Sequence, residues 1–542
     1  MRILVSRMAG LMKRPRERGS WAIVLDSAPR ALVILCAAIG LGVLPTRAAA
    51  WSDVAGDAAE ESEDDAESPF QNGLIARFTG VDGVPHVRLE DEVSLAGAPP
   101  DRRLPPGGWS VQFSGHLQVQ ASGTYRLRGF GSGAVRLELN GKVLLDASTK
   151  APAWLDAEAI ELPFGYHPLV VDYRPPDDGS GRLALYWEGP QFALEPLAGR
   201  WLYHATRETP STAFEDGERL VRALRCAACH EIAGEVAPLP APALNTMAGN
   251  LGRAWLIDWL AQRTPDHRES VDLAVASRRM PHFSFEQSEA NAIADYLFAN
   301  SEPLPPAKEV NPGEPAVKEK KKDKKSQAAP IGVPPVPNRE AGATLFRSLG
   351  CLACHRVGEL GTDNLFGGGN LDRVAEKRPA GYFVGWLADP ARLNRNHRMP
   401  VFTLNPFELE SLALYLQSLG DKPAAVDNGP TSRAEEGREL VEQARCSACH
   451  DLPKRGEIAQ GRPLRKLDLA ALLGRSNCLF EPDAAARRPG YRLSQPLREA
   501  VTVFLSENRS GATEALSGKA LLAQHSCLSC HARGRARGSN RS

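Results

Sequence analysis

Apolar and polar residues alternate along the chain between about residues 70 and 205, as in β-strands that bury one face. The turn-forming clusters ASG, NGK and PPDDGSG separate these runs. The alternation is clearest at Trp109, Val111, Phe113, Tyr125, Leu127, Val135, Leu137, Leu139, Leu169, Val171, Tyr173, Leu183, Leu185 and Trp187. The pattern predicts an all-β antiparallel sandwich or barrel over residues 69–205.

Beyond residue 205 the apolar spacing changes to three and four, which is typical of amphipathic helices. The segments GERLVRALR, WLIDWLA and SFEQSEANAIADYLFAN follow one another, and EAGATLFRSLG, YFVGWLADP and NPFELESLALYLQSL repeat the plan. A third copy runs from AEEGRELVEQAR to LREAVTVFLSE. We therefore predict three small all-α domains and the start of a fourth, at 213–301, 338–420, 432–508 and 512–542.

The remaining segments predict spacers and no nucleic-acid partner. Residues 51–68 are acidic and small, which favours a disordered spacer, and 302–337 form a Pro/Lys-rich linker of semi-extended character. The 542-residue chain has 65 basic and 65 acidic residues. Because there is no basic excess, and the run KEKKKDKK lies within the linker, we expect no nucleic-acid binding.

The N-terminus predicts export. Basic residues precede the apolar run ALVILCAAIGLGVL at 31–44, and TRAAAW follows with a small-residue cleavage pattern. The run is short for a membrane span, so we predict a signal peptide at 1–50 and a periplasmic or otherwise extracytoplasmic protein. The alternative is an uncleaved anchor, in which case the chain contacts a membrane.

Four C-x-x-C-H motifs occupy eight of the ten cysteines. They begin too far apart for a compact zinc ribbon, whereas two thioethers and an adjacent histidine are the attachment chemistry of haem c. The predicted haem-attaching cysteines are Cys226, Cys229, Cys351, Cys354, Cys446, Cys449, Cys527 and Cys530. The predicted proximal iron ligands are His230, His355, His450 and His531.

The sixth ligand of each iron decides its chemistry. Met280 in RRMPHF and Met399 in HRMPVF occupy the same place in successive repeats, which predicts axial thioethers for the first and second haems. Met247 has no counterpart in the second repeat and is assigned to the core.

The third repeat has no methionine to offer, since none occurs after Met399. Aligning the closing helices places Gly490 where Met280 lies. The third iron is then five-coordinate, or it takes Tyr491 or Cys478, for which a buried core role is the alternative.

The fourth motif ends close to the end of the sequence, with Cys527, Cys530 and His531 followed by a basic, glycine-rich stretch. No ring-enclosing segment or closing helix follows, and His525 is a nearby partner. We predict three enclosed haems and a fourth attachment signal whose haem would be exposed.

Two sets of motifs carry family resemblances. Residues 213–301 and 338–420 resemble class I cytochrome c domains, which implies an N-terminal helix crossing a C-terminal helix and a methionine loop closing over haem. SNCLF, RRPGYRLSQPLREAVTVFL and HSCLSCHARG resemble planctomycete-type cytochrome c modules.

WSVQFSGHLQVQASGTYRLRGFGSGAVRLELNGKVLLD, with LPFGYHPLVVDYR and LALYWEGP, resembles a PA14 domain. Members of that family often bind carbohydrate or mediate adhesion. Gly131, Ser132 and Gly133 stand where the sugar-binding members carry a calcium-holding aspartate pair, which argues against calcium-dependent sugar binding.

Together these features predict an exported multihaem c-type cytochrome that passes electrons between redox partner proteins and docks through its PA14-like domain. One alternative is the cytochrome subunit of an exported dehydrogenase, or a small-ligand haem enzyme working at an open third haem. Another is an adhesion protein that binds a glycan, peptide or cell-surface component and carries redox cargo. An electron carrier is favoured over a self-contained enzyme because no acid–base pair accompanies the third motif.

Overall fold

The computed structural model describes residues 68–96, 100–177, 181–234, 241–261, 279–303, 336–361, 366–426, 429–453, 465–466, 469, 474, 476–509, 521–522 and 527. The predicted signal peptide, almost all of the acidic spacer and of the Pro/Lys linker, and most of the fourth motif lie outside these residues. Within the described part, no helix is both long and apolar enough to span a membrane.

An antiparallel β domain occupies the N-terminal part of the described chain. Its strands are β1 Phe70–Asn72, β2 Leu74–Gly80, β3 Pro85–Glu90, β4 Ser94–Ala96, β5 Trp109–Val119, β6 Gly123–Leu139, β7 Lys142–Asp156, β8 Ile160–Leu162, β9 Gly165–Arg174, β10 Arg182–Gly189, β11 Phe192–Pro196 and β12 Leu202–Ala205. The central strand order is β1-β12-β5-β9-β6-β10-β11, and every strand pair of this domain is antiparallel. The predicted all-β antiparallel architecture is confirmed.

The core of the β domain follows the alternation in the sequence. All fourteen positions at which the alternation is clearest are buried in one hydrophobic cluster, and Phe113, Leu127 and Leu169 are fully inaccessible. Successive side chains on a strand point to opposite faces, so every second residue contributes to this core. Local periodicity therefore identifies which residues form this core.

The rest of the described chain is mainly helical. Its helices are α1 Ala213–Ala223, α2 Arg253–Leu260, α3 Gln287–Ala299, α4 Arg339–Ser348, α5 Val374–Lys377, α6 Ala380–Ala388, α7 Pro390–Leu393, α8 Pro406–Gln417, α9 Ala434–Gln443 and α10 Gln495–Glu507. Short strands accompany them: β13 His230–Glu231, β14 His355–Val357, β15 Leu360–Gly361, β16 Gly369–Asn370 and β17 Arg465–Lys466. Asn405 and Glu408 form a capping box at the start of α8, which fixes where that helix begins.

Helix pairing departs from the predicted domain order. In the second repeat α4 packs on α8, as a contiguous domain requires. In the other two repeats α1 packs on α10, and α9 packs on α3. The N-terminal helix of the first repeat therefore crosses the closing helix of the third, and the converse pair completes the exchange.

The β domain contacts the helical region through a buried loop. Asp101 is fully inaccessible and accepts two hydrogen bonds from the Arg103 guanidinium, at 2.9 and 2.8 Å. The same guanidinium lies 3.3 Å from Glu215 of α1 and stacks 4.3 Å from the ring of Phe214. Glu507, at the end of α10, lies 3.9 Å from Arg103. This loop ties the β domain to the α1–α10 helix pair.

Replacing Asp101 with asparagine is expected to lower the free energy of unfolding by roughly 2 kcal/mol, because a buried guanidinium loses its nearest carboxylate, to which it donates two hydrogen bonds. Burial alone would raise the pKa of Asp101, but the Arg103 hydrogen bonds and the charges of Arg88 and Arg103 together outweigh burial and hold that pKa below its ordinary value of 3.8. The stabilisation is thus complete above pH 3.8 and is lost as the pH falls through the folded-state pKa.

Chemical denaturation at neutral and acidic pH would measure this effect. Asp146→Asn is the matched control because Asp146 is 69% exposed beside Arg136, and its loss should change stability by less than ~1 kcal/mol. Equal effects of the two substitutions at neutral pH would contradict the role given to the Asp101–Arg103 pair.

Candidate functional site

Three C-x-x-C-H motifs adopt the same local structure. A 3₁₀ turn begins at Cys226, Cys351 and Cys446, directly after a helix and one residue in the left-handed conformation. The left-handed residues are Arg225, Gly350 and Arg445, with φ of 59°, 77° and 57°. Each turn brings two cysteines and the following histidine together, and all six cysteines are half-buried and outside any disulfide.

Burial raises the pKa of three of the six thiols. Burial raises the pKa of Cys351 to about 11 and that of Cys446 to about 12. Burial also raises the pKa of Cys449. Two cysteines and an adjacent histidine held in one turn fit covalent attachment of haem c.

The second motif makes its histidine and methionine contacts within its own repeat. The His355 Nδ1–H donates to the carbonyl oxygen of Gly369 at 3.2 Å, which fixes the orientation of the imidazole ring. Met399 and Cys351 pack into the same hydrophobic cluster. The Trp386 indole N–H donates to the Met399 sulfur at 3.0 Å, so the thioether is held in place.

The third motif is completed by residues of the first repeat. The His450 Nδ1–H donates to the Pro242 carbonyl at 2.8 Å. The Ala241 N–H donates to the Cys449 carbonyl at 3.1 Å, and the Leu244 N–H donates to the Asp451 carbonyl at 2.7 Å. Met280 packs into the same hydrophobic cluster as Cys446.

The first motif is completed by residues of the third repeat. His230 pairs in register with Arg465 through the parallel strands β13 and β17. Cys226 shares its hydrophobic cluster with Cys478 and Tyr491. The Tyr491 hydroxyl donates to the Leu224 carbonyl at 2.6 Å, and burial raises its pKa well above the ordinary value.

These contacts change two sequence interpretations. The structure places Met280 beside Cys446 and does not group it with Cys226. Gly490 pairs with His282 through two backbone hydrogen bonds, of 2.7 and 2.9 Å. The closing helices α3 and α10 begin at Gln287 and Gln495, so Met280 corresponds to Arg488, and the alignment of Gly490 with Met280 was wrong in register. Met247 is buried in the core, as predicted.

The fourth motif is almost wholly outside the described residues. Cys527 is described and half-buried, whereas Cys530, His531 and His525 are not described. Its haem therefore stays a prediction.

The three described motifs lie next to one another. Burial lowers the pKa of Arg225, against the opposing influence of Cys449 and then Tyr491. Burial also lowers the pKa of Arg398, with Arg225 lowering it further and Cys354 opposing. Arg225 and Arg398 thus link the surroundings of all three motifs. Sequence reasoning missed both arginines, although each lies close to a predicted haem ligand or attachment cysteine.

The second repeat also contacts the third motif directly. Arg395 lies 3.0 Å from Asp451, and the Asn396 side chain donates to Asp451 at 2.8 Å. Because Asp451 follows His450, this contact brings the loop before Met399 to the third motif.

Comparison with known proteins gives a family match for one segment of the helical part of the chain. The Cytochrome c family model matches residues 214–300, which implies a haem c-binding electron-transfer region. No curated protein matches the chain.

Among solved structures, the PA14 sugar-binding domain from an RTX adhesin is 14% identical, with 25% of this chain and 99% of that chain covered and a TM-score of 0.22. The PA14 domain of the MpAFP antifreeze protein is 12% identical, with 30% and 100% covered and a TM-score of 0.23. An anti-sigma factor domain-containing protein from Clostridium clariflavum is 17% identical, with a TM-score of 0.24. The match covers 27% of this chain and 51% of that protein.

Proposed function

We propose that this chain is an exported multihaem c-type cytochrome that carries electrons between redox partner proteins. The observation that carries the proposal is the recurrence of one local structure at Cys226, Cys351 and Cys446, each with an adjacent histidine. Three enclosed haems follow from these three motifs, with the fourth motif as a further attachment signal.

The residues of the chain have defined roles toward such haems. Two cysteines in each motif form the covalent attachment, and the histidine imidazole is oriented through its Nδ1–H, as seen for His355 and His450. Haem iron supplies one-electron redox chemistry when bound. Met399 and Met280 offer thioethers, which stabilise the reduced state and raise the potential.

The grouping of the motifs favours a relay of electrons within the chain. Arg225 precedes Cys226 and lies near Cys449, and Arg398 lies near Arg225 and Cys354, so the attachment sites are neighbours. Asp451 adds a direct contact between the second repeat and the third motif. A relay between closely spaced haems needs this arrangement, whereas an isolated haem enzyme does not.

The β domain is assigned a docking role. Its buried Asp101–Arg103 pair ties it to α1 and α10, so a partner bound to the sheet would be held near the first motif. Gly131–Gly133 form part of β6 with Ser132 buried, and the sequence offers no aspartate there for calcium. The partner is a redox protein, or a glycan or other cell-surface component. A glycan array probed with the full chain, with and without calcium, tests whether the partner is a glycan.

Carbon monoxide binding to the reduced protein tests the carrier function against the enzyme alternative. We expect carbon monoxide to change the spectrum of no more than one of the three enclosed haems, because sulfur ligands block the other two irons. Carbon monoxide binding at all three would contradict the carrier proposal. Co-purification with a catalytic polypeptide would instead identify the chain as a dehydrogenase subunit.

A further inference from the structure

We propose that the first and third cytochrome modules exchange their C-terminal halves, so that Met280 is the sixth ligand of the haem on Cys446, Cys449 and His450. The haem on Cys226, Cys229 and His230 is then the one without methionine. The inference rests on the proposed function, since it assumes that the first and the third motif each carry a haem.

The second module provides the internal reference for a module without exchange. A Cβ at Gly342 of α4 would lie 2.0 Å from the Ser411 carbonyl oxygen of α8, so these helices meet at a glycine. Met399 lies twelve residues before Ser411, in the cluster that contains Cys351. One chain segment thus supplies both the closing helix and the methionine to its own motif.

The same helix contact occurs twice more, with the partners exchanged. A Cβ at Gly217 of α1 would lie 2.0 Å from the Ala500 carbonyl oxygen of α10. A Cβ at Gly437 of α9 would lie 1.9 Å from the Ala292 carbonyl oxygen of α3. Met280 also lies twelve residues before Ala292, so the methionine accompanies α3 to the third motif.

The backbone contacts that follow each motif show the same exchange independently of the helices. In the second module the Gly368 N–H donates to the Cys354 carbonyl at 2.6 Å, and Leu371 to Arg356 at 2.9 Å. Around the third motif the equivalent donors are Ala241 and Leu244, which belong to the first repeat. Around the first motif the equivalent strand is β17, which belongs to the third repeat.

The exchanged modules are related as two copies in a swapped dimer would be. Ala292 of α3 and Ala500 of α10 make the same contact with a glycine of an N-terminal helix, so they are equivalent positions of the two repeats. The same sequence offset makes His282 equivalent to Gly490. His282 and Gly490 pair antiparallel with each other. Contact between equivalent positions is what a two-fold relation produces, and exchange of identical elements leaves each core complete. The same offset makes Arg488 the equivalent of Met280. The C-terminal half of the third repeat, which packs on the first motif, therefore supplies no thioether at this position.

Two matched haem-attachment variants of the full chain test the ligand assignment. Cys446→Ser with Cys449→Ser removes the third haem, and Cys226→Ser with Cys229→Ser removes the first. Proton NMR of the reduced protein counts methionine methyl groups shifted by a haem ring, of which the unaltered chain should show two. The third-motif variant should show one and the first-motif variant two. Loss of a signal in the first-motif variant, in both variants or in neither would overturn the assignment.

A thiol linkage tests the exchange without depending on haem. The Arg433 guanidinium donates to the Ser288 carbonyl at 2.6 Å, and Ser288 is exposed. Pro496 of α10 is the residue equivalent to Ser288 of α3, and it is also exposed. We expect a short bifunctional thiol reagent to join positions 288 and 433 in Ser288→Cys with Arg433→Cys. It should not join positions 433 and 496 in Arg433→Cys with Pro496→Cys. The reverse result, or linkage of neither pair, would overturn the exchange.

The two tests separate the failure of this inference from the failure of the proposed function. If no haem attaches at the first or third motif, the proposed function fails there, and the thiol linkage still reports which helices pair. If both haems attach and positions 433 and 496 are joined, the exchange fails while the chain remains a multihaem cytochrome.

Discussion

Replacing Gly437 with alanine is expected to lower the free energy of unfolding by about 3 kcal/mol, at the upper end of the range for overpacked cores. The added Cβ would lie 1.9 Å from the Ala292 carbonyl oxygen and 2.6 Å from its carbon. These are backbone atoms of a helix, so the helices α9 and α3 must move apart and lose contacts in the surrounding core. Chemical denaturation of the haem-loaded chain measures the loss.

The matched control for this substitution is Gly381→Ala. Gly381 also lies in a helix, but a Cβ there would meet nothing within 4 Å. Alanine is favoured over glycine in a helix by about 1 kcal/mol, so this control should be neutral or slightly stabilising. Equal effects at the two positions would contradict the close helix crossing at Gly437.

Replacing Met399 with alanine is expected to lower the reduction potential of one haem by on the order of 0.2 V, within the roughly 0.8 V range that axial ligands control. The thioether favours ferrous iron, and its loss opens a coordination position. Met399 is positioned for this role by the Trp386 N–H at 3.0 Å and by the cluster that holds Cys351. Spectroelectrochemical titration would show one component moving while the others stay.

Met247→Leu is the control for the methionine prediction. Met247 is 5% exposed and packs in the core, and a volume-conserving change there should cost less than about 1.5 kcal/mol and leave all potentials in place. An unchanged titration curve for Met399→Ala would contradict axial ligation by Met399. A shift of similar size for Met247→Leu would show that packing alone moves the potentials.

The β domain and the three described motif turns were predictable because their signals are local. Strand alternation assigns Val111 and Phe113 to the same face whatever the rest of the chain does. The C-x-x-C-H motif likewise keeps its cysteines and histidine within one turn, as at Cys351. Periodicity and spacing of this kind need no knowledge of distant partners.

The packing of helices from different repeats was not predictable, because it depends on contacts between residues far apart in the sequence. Gly217, Gly342 and Gly437 each meet a carbonyl oxygen of a closing helix, so the three N-terminal helices present the same contact surface. Sequence proximity favours pairing within a repeat, but interchangeable faces permit exchange. What distinguishes the alternatives is a set of long-range contacts, such as Tyr491 with Leu224, that no local pattern encodes.

The position of Gly490 shows a smaller limit of prediction from sequence. Alignment by apolar positions made Gly490 equivalent to Met280, whereas the helix contacts make it equivalent to His282, two residues later, with which it also pairs. Arg487 and Arg492, on either side of Gly490, have positive φ and make that loop irregular. Irregular loops do not keep the helical spacing on which such an alignment depends.

Intact-mass measurement of the exported protein, followed by identification of its haem-bearing peptides, tests the multihaem assignment most directly. We expect cleavage after Ala50 and haem on the peptides containing Cys226 and Cys229, Cys351 and Cys354, and Cys446 and Cys449, with any additional haem confined to Cys527 and Cys530. A protein whose mass corresponds to the polypeptide alone, or which carries haem at fewer than three of these sites, would contradict the assignment.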